Sequence, residues 1–350
     1  MPPKRAVACA LAAAALFGAS TPAAKVLAGE MPAFLLAGLL YAGSGAGLAL
    51  WLALRAARGL APHSSSLTRA DLPWLSGAVL AGGIAGPVLL MFGLGATQAS
   101  TASLLLNLEG VFTALLAWFV FQENFDRRIA LGMALIVAGG MLASFDARAL
   151  GATGTGALFV AAACLAWAVD NNLTRKVSAG DPVTIAAIKG VAAGAVNITI
   201  ALLMGSAIPA AAQVLASGLV GLLGYGVSLA LFVVALRELG SARTGAYFSI
   251  APFAGVALAL IVLGETPAAL FWPALALVAA GVWLHVTEHH AHEHAHEPLE
   301  HAHSHVHDEH HRHGHDLDWD GSEPHTHAHG HERLLHSHPH YPDIHHRHPH

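Results

Sequence analysis

The sequence predicts an all-α integral membrane protein of ten transmembrane helices, arranged as two inverted five-helix repeats and followed by a disordered C-terminal tail. Three observations predict it. Ten apolar stretches approach the roughly 20 residues that a helix needs to cross a bilayer core. Landmarks in the first five stretches recur in order in the second five. Of 26 histidines, 24 lie between His289 and His350, so the chain changes character near Thr287. The predicted division is therefore 1–147 for the first repeat, 148–287 for the second and 288–350 for the tail.

Composition separates the two materials. Hydrophobic residues make up 55% of the chain, although the tail is strongly polar. Such a value belongs to a multi-spanning membrane protein. Only 24 charged residues are spread over the first 287, too few to solvate a globular domain of that size. The tail carries a formal charge of −9 and the body +4, so nucleic-acid binding has no support. Cys9 and Cys164 each sit in apolar surroundings and read as buried fillers.

The predicted spans are roughly 6–27, 32–54, 73–95, 99–121, 128–145, 153–173, 182–204, 214–236, 242–264 and 267–286. The first, with Lys4 and Arg5 before it and Ser20-Thr21-Pro22-Ala23-Ala24 near its end, has the look of a secretory signal peptide. Nine more apolar spans follow at short spacing, so it reads as the first membrane helix. Steps such as Gly82-Gly83 and Gly139-Gly140 let helix backbones approach closely in lipid. With the N-terminus inside, eleven Lys and Arg residues fall in cytoplasmic loops, against Lys25 and Arg148 on the other side. Ten helices then return the C-terminus and the whole tail to the cytoplasm, and a bacterial inner membrane is the expected location.

The repeat rests on matched order. An offset of 150 lays Phe17…Lys25 over Trp167…Arg175. An offset of 142 lays Trp118–Glu123 over Leu260–Glu265, and one of 141 lays Gly140 over Gly281. Five helices is an odd number, so the second set enters the membrane in the opposite orientation, a common build for secondary transporters.

At these residues the chain resembles the drug/metabolite transporter superfamily, and within it the EamA-type transporters. Pro252-Phe253-Ala254 followed by Gly264-Glu265 matches the pattern of the fourth helix of an EamA repeat. Glu109-Gly110-Val111 with Gln122-Glu123 matches it in the first repeat, with Gly110 in place of proline. Phe17-Gly18…Lys25 and Trp167-Ala168…Arg175 match the first helix of each repeat. The resemblance covers about 6–286. It implies two repeats of five helices and a transport function, and it does not reach the tail or name a solute.

Polar residues inside the spans are the candidate transport path. Glu109 is the deepest charge, and an intramembrane carboxylate is costly enough to mark a functional site. It is the candidate proton carrier. Ser103 and Thr113 share its helical spacing better than Asn107 does. Gly110 and Pro252 occupy equivalent places in the fourth and ninth spans, where paired interruptions point to a midplane site. Lys189 lies about 10 Å into the seventh span, at 1.5 Å per residue. It either snorkels to the interface or faces a cavity, where it would attract an anionic or zwitterionic solute or pair with Glu109. Asp170, Asn171 and Asn172 form a polar cluster in the sixth span, and Asn197 lies two turns beyond Lys189. Tyr41 and Trp167 are candidate lining residues, while Trp272 and Trp283 fit interface anchors.

The tail reads as a metal-binding segment. Its first clusters are His289, His290, His292, His294 and His296, then His301, His303, His305 and His307, then His310, His311, His313 and His315. Later come His325, His327, His329 and His331, then His336, His338 and His340. Alternate spacing sets successive imidazoles on one side of an extended chain. Imidazole suits zinc, nickel, cobalt and copper. Few apolar residues and several prolines predict disorder without metal. A pH sensor is the other chemistry such a segment offers.

These observations define the function classes. One is a secondary transporter of a small organic metabolite, proton-coupled, with a cytoplasmic tail that regulates it or buffers metal. The alternatives are a transporter of zinc, nickel or cobalt fed by the tail, and a membrane-anchored metal buffer or sensor. The expected partners are the solute, metal ions and the lipid bilayer, and a homodimer is compatible with the sequence. No obligatory cofactor is expected. No phosphate loop, nucleophile elbow or zinc-protease motif is present, so no enzyme is predicted.

Overall fold

A computed structural model describes residues 4–59, 67–121, 127–144, 152–177, 181–287, 291–296, 299–305, 325–331 and 334–339. Contacts divide the chain into two units, Met1–Thr287 and Glu288–His350.

The secondary structure described in the first unit is all helical. α1 (Lys4–Ala28) and α2 (Ala33–Ala57) each run 25 residues, about 37 Å at 1.5 Å per residue. That exceeds a hydrocarbon core of about 30 Å. The next span is composite: α3 (Leu72–Ala78), a π-helical segment (Val79–Ala85) and α4 (Gly86–Ala96). Then come α5 (Ala99–Leu105), α6 (Leu108–Phe121), α7 (Arg127–Ser144), α8 (Ala152–Arg175) and α9 (Pro182–Leu203). α10 (Ala211–Gly221), a second π-helical segment (Leu222–Val227), α11 (Ser228–Phe248), α12 (Ala251–Ile261) and α13 (Phe271–Val286) complete the unit. Among the described residues, eight helical stretches are long and apolar enough to cross a membrane, and two shorter apolar helices, Ala251–Ile261 and Phe271–Leu284, follow them. Large apolar side chains such as Leu80, Met141, Leu158, Leu203 and Ile261 are exposed, which water would penalise and lipid does not.

Two element boundaries differ from the sequence expectation. The eighth and ninth predicted spans are joined, because helical backbone continues to Phe248. Yet the rings of Phe232 and Phe248 are 4.9 Å apart, and 16 residues of straight helix would separate them by about 24 Å. The backbone therefore reverses direction between them, and the two spans remain distinct limbs. The interruptions expected at Gly110 and Pro252 fall just before those residues, at Leu106–Asn107 and Ser249–Ile250. Gly110 lies inside α6, whereas Pro252 sits in the first turn of α12, where its missing donor costs nothing.

Contacts repeat between the two halves. A Cβ at Gly139 would press on Ala274 and Val278, and one at Gly281 would press on Gly132 and Ile136. An offset of 142 converts each set into the other. Gly45 meets Gly190 and Val191 across α2 and α9, and Gly194 meets Ala42, exchanged by an offset of 149. The π segments and the two helix breaks also fall at offsets near 142. Small residues allow these close crossings, where dispersion rather than hydrophobic burial binds helices in lipid.

The second unit departs from the disorder predicted for it. β1 (Ala291–His296) pairs with β4 (Leu334–Pro339), and β2 (Leu299–His305) pairs with β3 (His325–His331), both antiparallel. The cause is in the alternation itself. A period of two is the strand period, so the same spacing that lines up imidazoles also fits a ladder. His289, His290, His307, His310, His311, His313, His315 and His340 lie outside the described residues, as do Gln122-Glu123 and the 147/148 boundary.

Candidate functional site

A cavity of about 280 Å³ opens among α2, α8, α9, α11 and the second π segment. Its lining is apolar apart from a few groups: Tyr41 and Ser44 from α2, Thr174 from α8, Lys189 from α9 and Tyr225 from the π segment. The lysine is its charged member, and it does not snorkel. Its Nζ lies 2.5 Å from Asp170 Oδ1 and 2.7 Å from Oδ2, and donates to Thr174 Oγ1 at 3.3 Å. Thr174 in turn donates to Asp170 at 2.8 Å, from one helical turn away. Both charged side chains are largely buried. The sequence alternative that paired Lys189 with Glu109 is replaced by this Asp170 pair.

The first π segment makes room for Asp170. A Cβ at position 82 would lie 1.8 Å from Asp170 Oδ2, so glycine is required for the carboxylate to occupy its place. The Gly82 carbonyl accepts hydrogen bonds from Tyr41 at 2.8 Å and from the Trp167 indole at 2.9 Å. A π turn shifts carbonyls out of the regular ladder, and such turns often mark functional sites. Tyr225 stands 5.7 Å from Tyr41 and 5.9 Å from Phe17, centroid to centroid, so aromatic faces flank the cavity.

Glu109 belongs to a neighbouring cluster. Asn171 donates to its Oε1 at 2.9 Å and to Thr113 Oγ1 at 3.3 Å. Asn172 ties α8 to α6 through the Thr113 carbonyl at 3.4 Å. Since Asp170 and Asn171 are consecutive, α8 carries the ion pair on one side and the Glu109 contact on the other. The break before α6 exposes backbone carbonyls that find local donors: Asn107 donates to the Leu104 carbonyl at 2.9 Å and the Cys164 thiol lies 3.6 Å from that of Leu105.

The remaining predicted residues do other work. Asn197 is fully buried and donates to the Gly83 carbonyl at 3.1 Å, tying α9 to the first π segment. Asn107, Gly110 and Pro252 shape helix breaks and starts and do not line the cavity. Lys25 donates to the carbonyls of Leu94 and Thr97, closing the end of α4. Glu265 accepts from the backbone N–H groups of Ala99 and Ser100 at 2.7 and 2.8 Å, capping α5. Two landmarks of the repeat thus staple one turn between spans. Among the described side chains no three His, Cys, Asp or Glu converge on a common point. Tyr225, Ser44 and Thr174 were not singled out from the sequence. The signals were there: a tyrosine framed by Gly224 and Gly226, and a threonine one turn from Asp170.

The profile of the EamA-like transporter family matches residues 4–145 and 154–287. A protein described as an uncharacterized transporter from Methanothermobacter thermautotrophicus is 31% identical over 188 residues. That match covers 52% of this chain and 55% of the relative, so the chain aligns with about half the relative's length. A solved crystal structure, described only as that of a protein, superposes with a TM-score of 0.58 at 20% identity, covering 80% of this chain and 96% of the other. At that identity the likeness speaks to the fold alone.

Proposed function

This chain belongs to the EamA-like transporter family of membrane transporters, and from that premise we propose that it is a secondary active transporter of a small organic metabolite bearing a carboxylate or similar anionic group. The observation that carries this reading is the cavity built around Lys189. A fixed ammonium at membrane depth is expensive to keep, and here a single neighbouring carboxylate, Asp170, holds it in place. An incoming anionic group can take over the Lys189 bonds that Asp170 now makes, while Tyr41 and Tyr225 face the apolar part of the solute. A volume of about 280 Å³ suits a metabolite of roughly amino-acid to nucleobase size. The same cation disfavours a bare divalent metal as cargo.

The coupling group is Glu109. Its carboxylate accepts a hydrogen bond from Asn171, the neighbour of Asp170 in α8. Protonation would weaken the bond from Asn171 and so loosen α8 against α6 at the helix break, which couples the proton to movement between halves. The symmetric contacts at Gly139/Gly281 and Gly45/Gly194 support two inverted repeats, 1–147 and 148–287, in ten spans. The two short apolar helices take the ninth and tenth places. The bias of Lys and Arg supports cytoplasmic termini in a bacterial inner membrane. The histidine tail, 288–350, binds divalent transition metal on the cytoplasmic side and regulates the carrier or buffers the metal.

Flux into reconstituted vesicles tests this. Labelled carboxylates, amino acids, neutral nucleosides and zinc are offered to wild type, Glu109→Gln and a chain ending at Thr287. The expected result is uptake of a carboxylate-bearing solute, dependence of its accumulation on a proton gradient, and loss of that dependence in Glu109→Gln. Uptake of zinc with no organic solute moved would overturn the reading.

A further inference from the structure

Lys25 and Glu265 meet at one end of the helical body, on the turn between α4 and α5. Lys25, near the end of α1, donates to the carbonyl of Leu94 and, at 2.7 Å, to that of Thr97. Glu265, just past α12, accepts from the N–H groups of Ala99 and Ser100 at 2.7 and 2.8 Å. Gly264 makes this reach possible. Its φ of +64° turns the backbone at the end of α12, a conformation that strains a residue with a Cβ. Thr97, Ala99 and Ser100 are all buried. The opposite charges of Lys25 and Glu265 also attract one another.

This turn lies far from the cavity, and α8 measures the distance. A Cβ at Gly156 would press on Ala96 and Thr97, so the start of α8 packs on the turn. Thr174, near the end of the same helix, lines the cavity. The helix between them spans about 27 Å at 1.5 Å per residue, close to the thickness of a hydrocarbon core. Ile185 and Ala186, near the start of α9, also line the cavity, so it reaches the α8–α9 end of the bundle. The bonds of Lys25 and Glu265 tie together the opposite end. Glu265 belongs to the second half of the body, whereas α1, α4 and α5 belong to the first. Halves that rock around a midplane site must part at that end to open it.

We propose that Lys25 and Glu265 form the gate of the carrier on the membrane face away from the cavity mouth, and that the Glu265 bonds are the ones that part when the halves rock. Lys25 holds the end of α4 within the first half, so the α4–α5 turn moves with α1. Glu265 leaves with α12. Its two bonds end on backbone N–H groups of the first turn of α5, which water satisfies once the gate is open. Two charge-assisted bonds are strong enough to favour the closed face and few enough to break in each cycle. The inference rests on the chain being a transporter, and not on which solute Lys189 receives.

The test reads both ends of the full-length protein in detergent micelles with a water-soluble maleimide. In a Cys9→Ser/Cys164→Ser background, Ser100→Cys reports on the gate, where the native serine is fully buried, and Ala186→Cys reports on the cavity. Glu265→Gln should speed labelling of Ser100→Cys about tenfold, because weaker bonds to the α5 turn shift the equilibrium toward the open gate. The same substitution should slow labelling of Ala186→Cys, because opening one face closes the other. Lys25→Met removes the other charge of the gate and should move both reporters in the same directions. Faster labelling at both positions would show a loosened fold, and unchanged labelling at both would show a fixed joint; either result would overturn the gate. Neither bears on the choice of solute, which the flux assay decides separately.

Discussion

Asp170→Asn is the most informative single substitution for the site. It keeps the shape of the side chain and removes the charge that balances Lys189. The carboxylate makes two close contacts with Lys189 Nζ, at 2.5 and 2.7 Å, and accepts from Thr174 at 2.8 Å. Removing one partner of a buried ion pair costs about 3–5 kcal/mol, mostly because the other charge is left without compensation. Asparagine retains one acceptor oxygen, which places the cost near the lower end, about 3 kcal/mol. At about 2.1 cal/mol/K per residue, unfolding of the helical body carries about 0.6 kcal/mol/K of entropy, so a fall of about 5 °C is expected. The double variant Asp170→Asn/Lys189→Met removes both charges and should recover to within about 1 kcal/mol of wild type. The assay is thermal exposure of Cys164, which is fully buried, to a thiol-reactive dye in micelles, in a Cys9→Ser background. An Asp170→Asn melt within a degree or two of wild type would refute the reasoning. So would a double variant as unstable as the sum of the two singles.

Three further outcomes follow from contacts near the site and at the helix ends. Gly82→Ala puts a methyl 1.8 Å from Asp170 Oδ2, so the carboxylate must leave its place; flux should fall at least tenfold, with expression and melting recorded alongside. Glu265→Gln weakens the cap on α5, where two backbone donors now meet one carboxylate, and should cost about 1–2 kcal/mol in the same thermal assay. Gly281→Leu forces α13 away from Gly132 and Ile136 and should destabilise the body, while Gly154→Leu, which meets open space, should not; their melting temperatures compare the two directly.

Much of the architecture was legible because it is written in composition and period. Apolar stretches of membrane length and the offset of 142 residues each follow from the demands of the bilayer. The equivalence of Gly139 and Gly281 under the repeat could be anticipated from Gly140 over Gly281, off by a single residue. Lys189 and Asp170 were marked individually because charges are rare in spans, but their partnership was not. Nineteen residues separate them along the chain, and only the crossing of α8 and α9 brings them together. The π turns were invisible to hydropathy, since a wider turn has the same composition as an α turn. Yet they release the Gly82 carbonyl and place Tyr225. In the tail, composition pointed to disorder, whereas the alternation His-X-His also met the pattern of a paired strand.

The central claim is that Lys189 receives an anionic solute group in the cavity. Uptake into proteoliposomes by Asp170→Asn and by Asp170→Asn/Lys189→Gln tests it most directly, because the second variant removes the cation without leaving a buried carboxylate unpaired. The account predicts that the chain carrying Lys189 moves a carboxylate-bearing solute and that Lys189→Gln lowers this uptake at least tenfold, with neutral solutes at the level of empty vesicles. Equal carboxylate uptake by both variants, at matched amounts of folded protein, would contradict it.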